Sequence, residues 1–281
     1  MEPMVIIHGG FFSESGTNDD VKRAKQNALR EIAEEAYAHL KNHSAVETVA
    51  YAVSLLEDSD LFNAGTGSQI QSDGKIRMSA AIMDGTTSKF AGVINVEDVR
   101  NPVYVAERLL QYEDSVLGGP EALRFARDIG IEYYNPETLQ RRQEFEEKSA
   151  AAARTGTVGC VALDAMGRLA AATSTGGKGF EMPGRISDSA TVAGNYANAF
   201  AAVSCTGVGE DIVSGAVAAK IVTRVTDGLS LREAVERTLA ELKPFDGFAG
   251  VIALSGKGEI FHMDSHPYMV WASFSSGVET F

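Results

Sequence analysis

Between Ala153 and Leu163 the sequence reads ARTGTVGCVAL, a Gly-Thr pair set between a polar, charged segment and an apolar β run. Threonine opens many strands through β propensity alone, so the pair by itself carries no chemistry. It acquires one if the chain is cut between Gly156 and Thr157. A threonine hydroxyl is almost wholly protonated at neutral pH and needs a base within hydrogen-bond reach. A new N-terminal amine supplies that base, because its pKa of about 8 leaves a useful neutral fraction to take the hydroxyl proton. Glycine before the threonine tolerates the strained backbone through which the Thr157 hydroxyl would reach the preceding carbonyl. One residue could then perform both the cut and a later turnover.

Two further stretches suit such a site. In ATSTGGKGFEMPGRISDS, residues 172–189, a strand ends in hydroxyls, passes through a Gly-rich loop and presents Arg185 three residues before Asp188. An Arg and an Asp so placed can hold a carboxylate by a bidentate bond and an ammonium by a charge-assisted one, which together describe the backbone end of an amino acid. A surface loop with an incidental ion pair would look the same. In SCTGVGE, residues 204–210, Thr206 and Gly207 stand where a strand opens into a helix, so free N–H groups and a hydroxyl could stabilise an oxyanion. An ordinary helix-start turn reads identically. Neither GxxxxGK[ST] nor a strand-linked GxGxxG occurs, which argues against nucleotide binding. His39 and His43 stand four apart without a third ligand, and Cys160 and Cys205 each sit in an apolar run, so no transition-metal or disulfide framework is expected.

These residues need a scaffold, and the chain is large enough to provide one. It has 281 residues, 44% of them hydrophobic, and a formal charge of -13 from 38 acidic and 25 basic side chains. That charge repels phosphate backbones and anionic lipid, so neither nucleic acid nor membrane is an expected partner. The start, MEPMVIIHGG, has no basic leader and no window approaches a membrane span, which predicts a cytoplasmic protein.

Val5–His8 reads as a buried strand, Asp20–His43 as a helix, and Ser44 as the cap of a second helix through Leu56. Residues 61–85 alternate short apolar segments with Asn, Gly and Asp, predicting a strand and hairpin system; FAGVINV predicts a strand, and Asn101-Pro102 a helix start. From Glu132 to Arg154 the composition turns polar and charge-dense, as in an exposed linker. Then come TVGCVAL and RLAAATST as a hairpin, NAFAAVSCTG as a strand, helices over Glu210–Lys220 and from Ser230, and a last hairpin around Ser255–Gly258. The order is α+β without regular βαβ alternation, in one domain over 1–281.

HGG at His8–Gly10, LFNAGTG at Leu61–Gly67, MDG at Met83–Gly85, RNP at Arg100–Pro102, GTVG at Gly156–Gly159, ATSTGG at Ala172–Gly177, PGRISDS at Pro183–Ser189 and SCTGVGE occur in order. Together they resemble the plant-type asparaginases, or isoaspartyl peptidases, which are N-terminal-nucleophile hydrolases. The resemblance covers nearly the whole chain. It implies a four-layer αββα sandwich that cleaves itself after Gly156, giving an α chain of residues 1–156 with its exposed linker from about 135, and a β chain of residues 157–281. It implies Thr157 as nucleophile with its own amine as base, and Thr175, with Thr173 nearby, as orienting hydroxyls. It also implies that Asn63 lies close to the nucleophile, that Arg185 and Asp188 grip the aspartyl carboxylate and ammonium, and that Thr206 and Gly207 form the oxyanion hole. A backbone sodium loop is implied around Leu56, Glu57, Phe62 and Ala64; this sodium is structural, and catalysis needs no cofactor.

The implied reaction is hydrolysis of isoaspartyl dipeptides and of L-asparagine to release aspartate. The implied partners are small β-aspartyl substrates, the chain's own two pieces, and a second α–β unit in a homodimer. Gly176-Gly177 favours small β-aspartyl substrates, since the related glycosylasparaginases carry TSTNG there. Arg77-Met78-Ser79, Phe248–Gly250 and the DSHPYM stretch depart from the family pattern on the leaving-group side, which leaves the preferred leaving residue open. An uncleaved protein of this fold that only captures aspartyl ligands is the competing reading.

Overall fold

The computed structural model describes residues 1–11, 19–147, 156–266 and 269–280. Among the described residues twelve strands form two sheets. The larger contains β1 (Met4–Phe11), β2 (Met78–Asp84), β3 (Lys89–Val96), β4 (Val116–Gly118), β5 (Val158–Leu163), β6 (Leu169–Thr175), β11 (Met269–Phe274) and β12 (Val278–Thr280). Their order is β12-β11-β1-β5-β6-β2-β3-β4. The smaller sheet runs β10-β9-β8-β7, from β7 (Asn195–Ala197), β8 (Ala201–Gly207), β9 (Ala249–Ser255) and β10 (Ile260–Asp264).

Strand periodicity sorts the side chains into cores. On β1 and β5, Val5, Ile7, Val158, Cys160 and Ala162 pack into a cluster with α1 (Asp19–Leu40), α2 (Ala45–Asp58) and α3 (Pro102–Leu109). Their neighbours Ile6, Val161 and Leu163 point the other way, into a cluster with Ala202, Ile252 and Leu254 of the smaller sheet. On the outer side of that sheet, Val203, Cys205, Val251 and Ala253 pack with α6 (Gly209–Gly215), α7 (Val217–Thr226) and α8 (Leu231–Ala240). The apolar space between the two sheets is therefore built from one parity of each strand. Cys160 and Cys205 are buried free thiols in these cores.

Three expectations change. The helix expected over Glu210–Lys220 is two helices, because Ala216 adopts a left-handed conformation with φ 48° that ends α6 and starts α7. Of residues 61–85 only β2 is a strand; residues 59–77 form turns and loops, and the hairpin lies between β2 and β3. The stretch expected to be a linker contains a helix, α5 (Leu139–Glu146), which comes after α4 (Gly119–Asp128). Thr138 caps α5, Arg141 Nε donates to the Gly67 carbonyl at 2.7 Å, and Phe145 stacks on Phe180. Residues 148–155 of that stretch lie outside the described residues. Among the described residues no helix is long and apolar enough to cross a membrane.

Candidate active site

The parity that buries Ile6, Val161, Ala171 and Ala202 between the sheets also sets which side chains face that space elsewhere on each strand. Two or four residues away, the same faces carry His8 on β1, Thr157 just before β5 and Gly159 on it, Thr173 and Thr175 on β6, and Ser204 and Thr206 on β8. One end of the inter-sheet space is thus apolar and the other is lined with hydroxyls. The site is that polar end.

Thr157 directly precedes the first residue of β5 and is 8% exposed. Its hydroxyl donates to Thr175 Oγ1 at 3.2 Å, and the Gly177 N–H donates to the same Thr175 oxygen at 3.2 Å. Thr175 is therefore the contact of the nucleophile candidate. Thr173 is not: its hydroxyl bonds to Ser204 Oγ at 2.7 Å, because it sits one pleat deeper on β6.

Asn63 joins both sides of the junction. Its main-chain N–H donates to the Gly156 carbonyl at 3.2 Å, and its own carbonyl accepts from Gly176 at 2.9 Å. Its side-chain Nδ2 donates to Gly177 O at 2.5 Å while Oδ1 accepts from the Gln69 N–H at 2.9 Å. The carbonyl that Thr157 would attack thus already faces an N–H donor. Gly156 has φ 137°, and a Cβ there would run into Asn63 Cβ, so this close approach requires glycine.

Arg185 and Asp188 converge. A Cβ on Gly209, at the start of α6, would lie 2.9 Å from Arg185 Nη2 and 3.0 Å from Asp188 Oδ1. Asp188 is buried; Ser187 Oγ donates to its Oδ1 at 2.7 Å, and Oδ2 has no partner among the described residues. Burial pushes its pKa up to about 6. The direct partner of Arg185 is one that sequence reasoning missed. Glu210 takes the guanidinium in a fork, with Nε–Oε1 at 2.9 Å and Nη2–Oε2 at 2.8 Å. The hydrogen bonds from Arg185 hold the Glu210 carboxyl down at about 2. Its signal was the last residue of SCTGVGE, a carboxylate in the first turn of a helix whose start carries the expected oxyanion donors.

Thr206 is buried near the end of β8, and Gly207 comes next with φ 137°, where a Cβ would meet the Phe248 carbonyl. The loop after α2 folds back on itself: Thr66 N–H donates to Glu57 O at 2.7 Å and Ser59 N–H to Leu56 O at 3.3 Å. No N–H of the described residues donates to the carbonyls of Phe62 or Ala64. The Glu57 side chain is buried beneath the loop, where Ser174 Oγ at 2.6 Å and Val103 N–H at 3.1 Å donate to it and burial pushes its pKa up to about 8.

The fold thus brings together a hydroxyl just before a strand, a second hydroxyl bonded to it, and the neighbouring Arg185 and Asp188. The Asparaginase family model matches residues 1–280, and the chain belongs to that family. An isoaspartyl peptidase/L-asparaginase of Nostoc sp. is 45% identical over 92% of this chain and 88% of its own length. An isoaspartyl peptidase of Escherichia coli is 38% identical over 92% and 88%. A plant-type L-asparaginase of Pyrococcus furiosus is 34% identical over 98% and 97%.

Proposed function

We propose that this chain is a self-activating threonine amidohydrolase that hydrolyses isoaspartyl dipeptides and L-asparagine, releasing L-aspartate. The observation that carries the reading is Thr157, with its hydroxyl on Thr175 and the preceding carbonyl on the Asn63 N–H. In maturation the Thr157 hydroxyl adds to the Gly156 carbonyl carbon, the Asn63 N–H stabilises the developing oxyanion, and the C–N bond breaks as the hydroxyl proton passes to the Thr157 nitrogen, leaving an ester and an amine. Water then hydrolyses that ester, giving the Gly156 carboxylate and a free Thr157 amine. The relatives named isoaspartyl peptidase and L-asparaginase support the same chemistry here.

In turnover the amine takes the hydroxyl proton as Oγ1 attacks the substrate β-carbonyl. Thr206 and Gly207 stabilise the oxyanion, the proton passes to the departing amine, and water hydrolyses the β-aspartyl ester. Asp188 receives the substrate ammonium through its unpartnered Oδ2. Arg185 receives the α-carboxylate, which must compete with Glu210 for the guanidinium.

The remaining features of this reading are a four-layer αββα arrangement, separate α and β chains after the cut, and a homodimer of such units in the cytoplasm. Leu56, Glu57, Phe62 and Ala64 would hold a structural sodium through main-chain carbonyls, and the two carbonyls lacking donors suit that role. The sodium would stiffen the loop leading to Asn63.

The test is a denaturing gel with N-terminal sequencing. Dividing 29.9 kDa in proportion to the two pieces gives bands of roughly 17 and 13 kDa, the smaller starting at Thr157. Thr157→Ala is expected to stay full length and inactive. An active preparation that contains only the full-length chain would overturn the reading.

A further inference from the structure

His8 lies at the floor of the site and is completely buried, yet neither the attack nor the substrate grip uses it. Its Nδ1 is 3.0 Å from the Thr157 carbonyl oxygen, and its Nε2 is 2.9 Å from Ser204 Oγ. A carbonyl only accepts, so Nδ1 carries the proton and donates it. Nε2 then has a lone pair and accepts from the Ser204 hydroxyl, whose oxygen in turn accepts from Thr173 Oγ1 at 2.7 Å. The chain of donors runs in one direction, Thr173 to Ser204 to His8 to the Thr157 carbonyl. Burial lowers the imidazole pKa to about 3, so the ring stays neutral and keeps this tautomer across the working pH range.

The main chain explains why a side chain is needed there. β1 pairs with β5 in antiparallel register as far as His8↔Gly159, with no pair nearer Thr157, while on its other edge β1 shifts register against β11 between His8 and Phe11. The Thr157 carbonyl lies just past the last rung, and His8 supplies an N–H from its side chain. Gly159 makes this possible, because a Cβ there would collide with both Ser204 Oγ and His8 Nε2. The bond also ties three strands together: β1 through His8, β5 through Thr157 and β8 through Ser204.

We propose that His8 is a positioning residue for the Thr157 nucleophile, holding its carbonyl so that amine and hydroxyl keep one orientation after the chain is cut. This rests on Thr157 being the nucleophile. Before cleavage, Thr157 is held by a peptide bond on each side. Afterwards it is a chain end, which frays unless it is tied down. Its carbonyl is the one main-chain handle left besides the amine, and the amine must stay free to act as base. Fixing the carbonyl sets the rotation about the Cα–C bond, and with it where the amine and the Cβ–Oγ1 arm point. A misplacement of reacting groups by about 1 Å can cost on the order of 100-fold in rate.

Two substitutions separate the two nitrogens. Asn places an amide N–H near the Nδ1 position and can still donate to Thr157 without reaching Ser204. Gln reaches the Nε2 position and can keep Ser204 while losing the Thr157 bond. On β-Asp-Leu, His8→Gln is expected to lower kcat by about tenfold or more with KM within about twofold, and to slow self-cleavage. His8→Asn is expected to recover kcat to within about threefold of the parent. A merely structural histidine would not rank these two variants in that order. Equal kcat in the two variants, a loss confined to KM, or a His8→Gln protein with parental kcat would each overturn the proposal.

Should either histidine variant fail to fold by its circular dichroism melt, Ser204→Ala decides. It frees the imidazole tautomer from outside the nucleophile's strand, and kcat is expected to fall about three- to tenfold at unchanged KM. Parental kcat there would overturn the idea. The unmodified protein is the control that separates the two claims. If it neither cleaves nor turns over, the proposed function fails; if it does both and the variants match it, only the role of His8 fails.

Discussion

At the residue scale, Asp188 is the proposed substrate-binding group whose pKa burial raises towards neutral pH. Burial raises its folded pKa from 3.8 to about 6, so the fold favours its neutral form. Its contribution to stability is therefore fully present below pH 3.8 and is lost as pH rises through about 6. The proposed substrate binding would run the other way, because an ammonium needs the ionised carboxylate. The kcat/KM profile of the mature enzyme is therefore expected to rise through an acid limb near pH 6, and Asp188→Asn to remove that limb while lowering kcat/KM by on the order of tenfold or more. A parental profile in Asp188→Asn would show that another group titrates. Glu210 has the opposite sign: its carboxyl is held down at about 2, so its stabilising pairing with Arg185 is complete above pH 4.5 and disappears only as pH falls towards 2. Sequence spacing pointed to Arg185 and Asp188 but not to this third charge. Glu210 is 25 residues from Arg185, and only the fold brings α6 over the loop that carries the arginine.

At the element scale, Ala216 is the place where local preference and tertiary structure conflict. It holds φ 48° and ψ 44° between α6 and α7, a conformation that costs a residue with a Cβ about 1 to 2 kcal/mol. Glycine removes that cost but loses more entropy on folding, by roughly 0.5 to 1 kcal/mol. Ala216→Gly is thus expected to be about 0.5 to 1 kcal/mol more stable, which a urea titration read by circular dichroism can resolve. Destabilisation would mean that the exposed methyl group makes a packing contribution. The same position shows why helix boundaries were only partly legible. The helices begun by Ser44 and Ser230 were readable because each pairs a serine cap with a glutamate three residues on, Glu47 and Glu233, and both capping boxes form. An alanine in a left-handed turn leaves no such mark, and the apolar spacing runs on across it. The central strands were readable from apolar runs, whereas β4 and β11 depend on the sequence-distant partners β3 and β1, and β7 and β12 are only 3 residues long.

At the scale of the whole molecule, the two facing sheets bring together residues from Asn63 to Thr206, and the roles proposed for them concern only the aspartyl half of a substrate. In the proposed binding mode Arg185 and Asp188 would read a carboxylate and an ammonium that asparagine shares with every β-aspartyl dipeptide. Discrimination between leaving residues must then come from outside that grip, and the charge of -13 favours a basic leaving residue. The field of such a surface is long-ranged, and salt screens it over a Debye length of about 10 Å at 0.1 M and about 3 Å at 1 M. A short buried ion pair would be screened much less. At low ionic strength β-Asp-Arg and β-Asp-Lys are therefore expected to exceed β-Asp-Leu in kcat/KM by roughly three- to tenfold, with the gap narrowing towards 1 M salt. The comparison uses initial rates of aspartate release on the matured protein, with L-asparagine as the substrate that lacks a leaving residue. Equal rates for the Arg and Leu dipeptides at low salt would remove the long-range attraction and leave the threonine chemistry untouched. An Arg preference that persists at 1 M salt would instead place a carboxylate in direct contact with the leaving side chain. Glu181 is the group to substitute in that case, because it is buried next to Gly177 and its Oε2 has no partner among the described residues.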